Sequence, residues 1–179
     1  FSSEERSIYK AVKTEILHQI NLKELSKIDL GTINQILTKM VRLLQIADSC
    51  ELVGNNVKSS KLEALKELLE SLGGEKVVIF TRFAQMAKIL ERDLAELKPL
   101  LVTGETPAEN RLEIIKKFEN ANNSVLISTE TLAYGVNLQF CSYLVNYDLP
   151  WSIGKLEQRY GRLDRIGAKK NITFYSIVV

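Results

Sequence analysis

The sequence predicts an α/β fold in which helices cover both faces of a parallel sheet, with a helical segment before it. Short apolar runs, such as 77–80 (VVIF) and 125–128 (VLIS), alternate with longer segments whose apolar residues recur every three or four positions. Strands that are apolar throughout are typical of sheets buried on both faces. Residues 1 to about 54 contain only the helical periodicity.

The helical segment contains two predicted helices and a loop. Ser3, followed by Glu4 and Glu5, has the composition of a helix start, since acidic side chains favour the first turn. Gly54 and the two asparagines after it predict the loop. Apolar residues at spacings of three and four predict the second helix; they are Ile33, Ile36, Leu37, Met40, Leu43, Leu44 and Ala47.

Three further helices are predicted by their end signals and apolar faces. Ser60 with Glu63 resembles a capping box, and the helix it opens would end at Gly73. Thr106, Pro107 and Glu109 are typical of another helix start. The residues expected to face inward in the helix over 84–97 are Met86, Ala87, Leu90 and Leu94, and the helix after Pro107 carries the apolar residues Leu112, Ile115 and Phe118.

Five strands are predicted, over 76–80, 100–102, 125–128, 143–147 and 172–178. Parallel sheets bind ligands at the carboxyl ends of their strands. The loops at these ends carry polar and aromatic residues, in the sequences TRF, TGE, STETLAYG and NYDLPW. We therefore expect a functional site at this edge of the sheet.

Composition limits the possible functions only weakly. The chain has 179 residues and a net charge of +2, too small to predict a nucleic-acid partner without a local basic surface. Cys50 and Cys141 are far apart, so they predict neither a disulfide framework nor a metal site, and they fit a reducing compartment. No apolar run has the length of a membrane span. The start at Phe1 without a methionine suggests a fragment.

The segment EQRYGRLDRIG, residues 157–167, carries the clearest chemical signal. On a helix, the spacings of four and three place Gln158, Arg162 and Arg165 within about 60° of one another. Two permanently charged guanidiniums on a rigid element suit a phosphate that gains charge in a transition state. The alternative is a solvated surface helix in which an arginine forms an ion pair with Asp164 of the same helix.

The sequence contains no GxxxxGK[ST] motif, so it lacks its own phosphate-binding loop. It also has no strand that ends in an acidic pair suited to Mg²⁺, and no metal site is predicted. Arginines that suit a phosphate, in a chain without a phosphate loop, indicate one half of a divided site.

From about Ser59 to Val179, several ordered motifs resemble the second RecA-like lobe of superfamily 2 nucleic-acid motors, and among them the Swi/Snf-type DNA translocases. They are KVVIFTRF, VTGETPAENRLEIIKKFE, VLISTETLAYGVNLQF, NYDLPW and LEQRYGRLDRIG. We expect residues 57–179 to form this lobe, and residues 1–56 to be the helical insertion or linker before it.

The sequence departs from the family pattern at three places. Thr131 to Ala133 replace the usual Ala-Gly-Gly step, Trp151, Ser152 and Ile153 replace the usual Trp-Asn-Pro, and Ala168 replaces the usual glutamine. NYDLPW and GRLDRIG are more similar to bacterial members than to eukaryotic chromatin remodellers. The resemblance implies a cytoplasmic, nucleoid-associated protein in bacteria, or a nuclear one in a eukaryote.

The resemblance implies that Arg162 and Arg165 are arginine fingers for ATP, with Gln158 beside them. ATP and Mg²⁺ would be bound mainly by a first lobe that this chain lacks. Gly135 and Asn137 would couple the nucleotide to nucleic acid. From the residues alone, these two are equally well explained as a turn glycine and a loop-capping asparagine.

The resemblance also implies a track for one strand of double-stranded DNA at the ends of the sheet strands. The Thr and Ser side chains at these strand ends are alternatively explained as helix caps. Trp151 is alternatively explained as a residue that packs against the edge of the lobe. The implied activity is ATP-driven translocation that remodels DNA-bound protein. A strand-separating helicase lobe and a non-catalytic binding module stay open as alternatives. The residues of the track would be Thr81, Arg82, Phe83, Thr103, Gly104, Ser128, Thr129 and Trp151.

Overall fold

The structure is a computed structural model that describes residues 1–21, 30–120, 122, 124–133, 136–164 and 171–179. By its internal contacts the chain divides into a helical unit, residues 1–62 with Val179, and a sheet unit, residues 63–178. The predicted boundary between residues 56 and 57 stays a prediction, as do the roles assigned to the two segments. No helix in the described part of the chain is long and apolar enough to cross a membrane.

The helical unit contains α1 (Ser3–Asn21) and α2 (Leu30–Asp48), followed by a 3₁₀ turn at Cys50–Val53. Gly54 ends this turn with φ at +81°, a conformation that glycine adopts without strain. Ser2 and Glu5 form a capping box at the start of α1: the Glu5 N–H donates to Ser2 Oγ over 3.2 Å, and the Ser2 N–H donates to Glu5 Oε2 over 2.7 Å.

Helix α3 (Ser60–Ser71) follows, and its start differs from the prediction. Ser59 Oγ accepts a hydrogen bond from the Leu62 N–H at 3.3 Å, so Ser59 rather than Ser60 caps the helix. Inside the helical unit, the buried Lys61 ammonium pairs with Asp48 at 2.7 Å. This pair satisfies two charges that would otherwise be costly to bury.

The sheet unit is a five-stranded, all-parallel sheet in the order β2-β3-β1-β4-β5. All five predicted strands are present, and the three central ones are the most buried, as their apolar sequences predict. Phe80 is level with Ser128 and with Asn146, so β1, β3 and β4 end side by side. The strands are β1 (Val77–Phe80), β2 (Leu100–Val102), β3 (Val125–Ser128), β4 (Tyr143–Asn146) and β5 (Thr173–Ser176).

Helices α4 (Ala84–Asp93), α5 (Ala108–Asn120) and α6 (Ile153–Tyr160) connect the strands. The inward face predicted for α4 is confirmed, since Met86, Ala87, Leu90 and Leu94 are buried. Of the apolar residues that the sequence places on α5, Ile115 and Phe118 are buried, whereas Leu112 is 60% exposed. Leu112 lies about one turn nearer the start of the helix than Ile115, so the same apolar stripe continues past the part of the helix that reaches the core.

The continuous helix predicted through residues 157–167 is wrong. Helix α6 ends at Tyr160, and bonds between residues three apart follow it, from Arg162 N–H to Arg159 O at 3.2 Å and from Leu163 N–H to Tyr160 O at 3.0 Å, beside one bond of helical spacing from Asp164 N–H to Tyr160 O at 2.9 Å. Such short bonds tighten a helix end into a 3₁₀-type turn. Arg162 therefore lies in a turn after α6, and Arg165 lies outside the described residues.

Candidate functional site

The strand order predicts a ligand crevice between the carboxyl ends of β1 and β4, where the direction of the connections changes. The chain leaves β1 towards β2 on one side of the sheet, and leaves β4 towards β5 on the other. Such a change of direction separates the two connecting loops and leaves room for a ligand. The predicted TRF and NYDLPW loops begin at this position.

Asp148 joins these two loops. Its Oδ2 accepts hydrogen bonds from the Thr81 hydroxyl at 2.6 Å and from the Arg82 N–H at 2.7 Å. Asp148 is 7% exposed and Thr81 is fully buried. A buried carboxylate that accepts two such bonds fixes the loop after β1 to the loop after β4.

Arg82 and Trp151 form the accessible surface beside this junction. The Arg82 guanidinium donates to the Leu149 carbonyl and lies 5.0 Å from the centre of the Trp151 ring. Trp151 is 64% exposed. A cation over one face of an exposed indole holds the ring in place and leaves its other face open.

Arg159, on α6, is fully buried beneath the same loops. Its guanidinium donates to Asn146 Oδ1 at 2.9 Å, to the Asp148 carbonyl at 2.8 Å and to Glu130 Oε1 at 2.5 Å. It also lies 5.3 Å from the Phe80 ring centre. Arg159 therefore contacts residues at or just beyond the ends of β1, β3 and β4.

The charges around Arg159 explain how a guanidinium is tolerated in the interior. Asp148 Oδ1 lies 3.7 Å from the Arg159 guanidinium, in addition to the closer contact with Glu130. Two carboxylates and two neutral acceptors replace much of the hydration that the cation loses. We call Arg159, Glu130, Asn146 and Asp148 the buried arginine cluster.

Gln158 and Arg162, two of the predicted catalytic residues, lie together at the end of α6. Arg162 Nε donates to the Gln158 carbonyl at 3.2 Å, and the Arg162 carbonyl accepts from the Leu138 N–H at 3.0 Å. Within the described residues, Gln158 Oε1 is buried without a hydrogen-bond partner. A buried acceptor of this kind fits a donor supplied by a ligand or by a second protein surface.

The residues predicted to couple nucleotide and nucleic acid differ in what the structure describes. Asn137 is exposed, and its side chain closes a local turn by bonding with Gln139. The neighbouring Leu138 is the residue bonded to Arg162, so this loop is attached to the predicted catalytic turn. Gly135 lies outside the described residues.

The residues predicted to bind nucleic acid fall into a buried and an accessible set. The hydroxyls of Thr81 and Ser128 donate to protein acceptors, to Asp148 and to the Thr129 carbonyl respectively. Thr103 Oγ1 accepts from the Glu105 N–H at 3.2 Å. The buried residues are Thr81, Thr103, Ser128 and Thr129, and the exposed or half-buried ones are Arg82, Phe83, Gly104 and Trp151. Direct contact of any of them with nucleic acid stays a prediction.

No group of three or more His, Cys, Asp or Glu side chains in the described ranges is placed to hold a metal ion. The acids at the crevice, Glu130 and Asp148, already bind Arg159. The described residues therefore do not fit Mg²⁺, and no step is assigned to that ion on them.

The buried arginine cluster was not predicted from the sequence. A signal was present in the sequence, because Arg159 follows Leu156 by three positions and precedes Leu163 by four, which are helical spacings. Those spacings place its side chain on the apolar face of the helix. A charge at such a position predicts buried partners, which Asp148 and Glu130 provide.

Comparison with known proteins identifies the fold. Residues 60–167 match the family described as helicase conserved C-terminal domain. The chain belongs to this family of helicase C-terminal domains. The all-parallel sheet with its covering helices is the RecA-like fold of these lobes, as predicted.

A solved structure extends this likeness to the Swi/Snf type. The chain is similar to the Sulfolobus solfataricus SWI2/SNF2 ATPase core in complex with dsDNA, with a TM-score of 0.80 and 26% identity over 99% of this chain and 39% of that one. This lobe is therefore a Swi/Snf-like member of superfamily 2.

Curated relatives include ATP-dependent helicases, some of which are named as RNA helicases. The chain is 31% identical to the uncharacterized ATP-dependent helicase YqhH of Bacillus subtilis, over 67% of this chain and 22% of the relative. It is 32% identical to the ATP-dependent RNA helicase SUB2 of Debaryomyces hansenii, over 63% of this chain and 26% of the relative. The helicase lobe thus spans about a quarter of the length of these relatives.

Proposed function

We propose that this chain is the C-terminal motor lobe of a DNA-dependent ATPase that translocates on double-stranded DNA and remodels protein–DNA complexes. The observation that carries the proposal is the likeness of 99% of the chain to a SWI2/SNF2 ATPase core in complex with dsDNA. The absence of a phosphate-loop motif from this sequence supports a division of labour in which a first lobe holds ATP.

Arg162 and Arg165 are the proposed arginine fingers, and Gln158 lines the same site. Arg162 is half-buried and held through its Nε by the Gln158 carbonyl, which limits the freedom of its guanidinium. The unpartnered Gln158 Oε1 supports a ligand or protein donor at this position. Bound ATP would supply the phosphate whose developing charge the guanidiniums stabilise, while Mg²⁺ would be held by the first lobe.

On the nucleic-acid side, Arg82 and Trp151 with Phe83 and the backbone at Gly104 would contact one strand. Their exposure supports this role. The buried residues of the predicted track, Thr81, Thr103, Ser128 and Thr129, would hold the loops in position. Contacts of this kind grip the phosphate backbone without reading the base sequence.

Gly135 and Asn137 would transmit changes between the two sides. The bond from the Leu138 N–H to the Arg162 carbonyl supports this, because the loop of Asn137 is attached to the catalytic turn. ATP binding would close the two lobes and hydrolysis would reopen them. If each lobe grips the backbone in turn, each cycle moves the pair along the duplex.

The proposed finger is tested with Arg162→Ala in the intact two-lobe protein. We expect the variant to fold and to lose DNA-stimulated ATP turnover by about 10³–10⁵-fold, the usual effect of an arginine finger. Steady-state ATP hydrolysis is measured with and without double-stranded DNA, and the fold is checked by circular dichroism. This chain alone should hydrolyse essentially no ATP.

Arg92→Ala is the matched control, because Arg92 is an exposed arginine of α4 that pairs with Asp93. It should leave stimulated turnover close to the wild-type value. Normal turnover in Arg162→Ala would overturn the finger role. An intact protein without any ATPase activity would favour the non-catalytic binding module instead.

A strand-separating helicase is the second candidate, favoured by the 32% identity to the RNA helicase SUB2. Strand displacement on RNA and DNA duplexes with single-stranded tails distinguishes it from a translocase. We expect ATP turnover to be stimulated by duplex DNA without release of a strand. ATP-dependent strand release would favour the helicase.

A further inference from the structure

We propose that Arg159 is a positioning residue that couples the nucleic-acid side of the lobe to Arg162. The inference rests on the proposed function and deepens it by assigning the connection between its two halves. Arg159 would touch neither ATP nor nucleic acid, since its side chain is fully buried. It would act through the residues that it holds.

The first connection runs from Arg159 to the nucleic-acid side. Its guanidinium donates to the Asp148 carbonyl at 2.8 Å, and the Asp148 carboxylate accepts from the Thr81 hydroxyl and the Arg82 N–H. Arg82 in turn contacts the Trp151 ring. Asp148 therefore links the Arg159 guanidinium to the accessible Arg82–Trp151 surface, so a displacement of the guanidinium would also move that surface.

The second connection runs through the backbone to the catalytic turn. The Arg159 carbonyl accepts the Arg162 N–H at 3.2 Å, in the turn that ends α6. The same turn carries Gln158, whose carbonyl holds Arg162 Nε. Because Arg159 bonds both to Asp148 and to Arg162, the position of Arg162 depends on the loops after β1 and β4.

The planar guanidinium is needed for this geometry. Arg159 directs Nη1 to Asn146 and the Asp148 carbonyl, and Nη2 to Glu130. Its guanidinium carbon also lies over the Phe80 ring, 5.3 Å from the ring centre. A lysine ammonium keeps the charge, but it cannot reproduce this set of fixed directions. Arg159→Lys therefore removes the positioning while it retains the cation.

The experiment compares Arg159→Lys with wild type in the intact protein. We expect the ratio of DNA-stimulated to unstimulated ATP turnover to fall about ten- to hundredfold, since small misplacements of catalytic groups have effects of this size. The KM for ATP should change by less than about threefold, because a group that acts on turnover alone leaves ground-state binding intact. A general loss of folded protein would instead lower both rates equally.

Trp151 gives a second readout that does not depend on ATP hydrolysis. It is the single tryptophan of this chain, so its emission is measured on this chain by itself. Its emission reports the Arg82–Trp151 contact at temperatures where circular dichroism shows a folded chain. We expect Arg159→Lys to change this emission more than the exposed control Arg92→Lys does.

Glu130→Gln provides a milder variant for the case in which Arg159→Lys does not fold. It removes one charged partner, whose side chain is 26% exposed, and leaves the arginine in place. It should change the turnover ratio in the same direction.

The inference would be overturned if the folded variants kept the wild-type ratio of DNA-stimulated to unstimulated ATP turnover and the wild-type Trp151 emission. If wild-type turnover is not stimulated by DNA, the proposed function fails, and Trp151 emission alone decides the positioning role.

Discussion

At the scale of single residues, the buried arginine cluster shows where sequence reasoning succeeds and fails. Residue type and spacing pointed to Gln158 and Arg162, which the structure brings together at the end of α6. They did not reveal that the neighbouring Arg159 is fully buried. Its partners Asn146 and Glu130 lie 13 and 29 positions away in sequence. Contacts over such separations depend on the strand order, which local patterns do not encode.

Asp148→Asn tests the strength of the junction between the two loops. Its Oδ2 accepts two hydrogen bonds and its Oδ1 faces Arg159, so an amide loses charge where two donors and a cation converge. We expect the free energy of unfolding to fall by about 2–4 kcal/mol. Urea denaturation measures this.

Asp93→Asn is the control for that measurement, because Asp93 pairs with an exposed arginine on α4. Exposed pairs contribute about 0–1 kcal/mol, so this variant should be nearly as stable as wild type. Equal effects of the two substitutions would show that the Asp148 bonds contribute no more than a surface pair.

At the scale of helices and strands, the sequence predicted the existence of elements better than their ends and faces. All five strands and the helices between them were predicted from apolar patterns. The end of α6 at Tyr160 was missed, because Leu163 continues the apolar spacing beyond it and is itself buried. Leu112 shares the apolar spacing of Ile115 and Phe118 on α5, yet it is exposed. The periodicity of apolar residues identifies the apolar face of a helix, whereas the element that packs against the helix determines how much of that face is buried.

The capping box of α1 predicts a pH dependence of stability. Burial acts to raise the pKa of Glu5, but hydrogen bonds from Ser2 and Ser60 outweigh it, so this pKa lies below its ordinary value of 4.5. A carboxylate with a lowered folded pKa contributes its full stability above the ordinary value, and that stability is lost as the pH falls through the lowered pKa. Glu5→Gln should therefore cost about 1 kcal/mol at neutral pH and nothing in strong acid.

The measurement is urea denaturation of wild type and Glu5→Gln between neutral pH and strong acid. Glu4→Gln is the matched control, since Glu4 is exposed in the same helical turn. A stability difference between wild type and Glu5→Gln that persists unchanged in strong acid would contradict the ionic role of Glu5.

At the scale of the whole chain, the fold class followed from the alternation of apolar strands with amphipathic helices, and it is confirmed. The family assignment needed several motifs in order, because the arginine segment alone also fits a surface helix. The division near Leu62 lies within α3, where helical periodicity is unbroken. A pattern that continues through a boundary gives no signal of it, so compact units have to be recognised from contacts.

The two cysteines allow the stability of the two units to be compared, because Cys50 lies in the helical unit and Cys141 in the sheet unit. Both are fully buried, and burial followed by the charge of Glu5 raises the pKa of the Cys50 thiol. Since the thiolate is the reactive form, neither residue should react with a thiol reagent in the native chain. Labelling then requires opening of the surrounding structure.

We expect Cys50 to become labelled at a lower urea concentration than Cys141. The helical unit is the smaller one, and small units bury a smaller fraction of their surface; its α2 also leaves Leu30 79% and Leu37 53% exposed. Cys141 lies in the core that packs against the five-stranded sheet. Single-thiol variants, Cys141→Ala for Cys50 and Cys50→Ala for Cys141, are labelled across a urea series and followed by mass spectrometry. Coincident labelling midpoints would mean that the two units unfold as one cooperative structure, and an earlier midpoint for Cys141 would reverse the proposed order of stability.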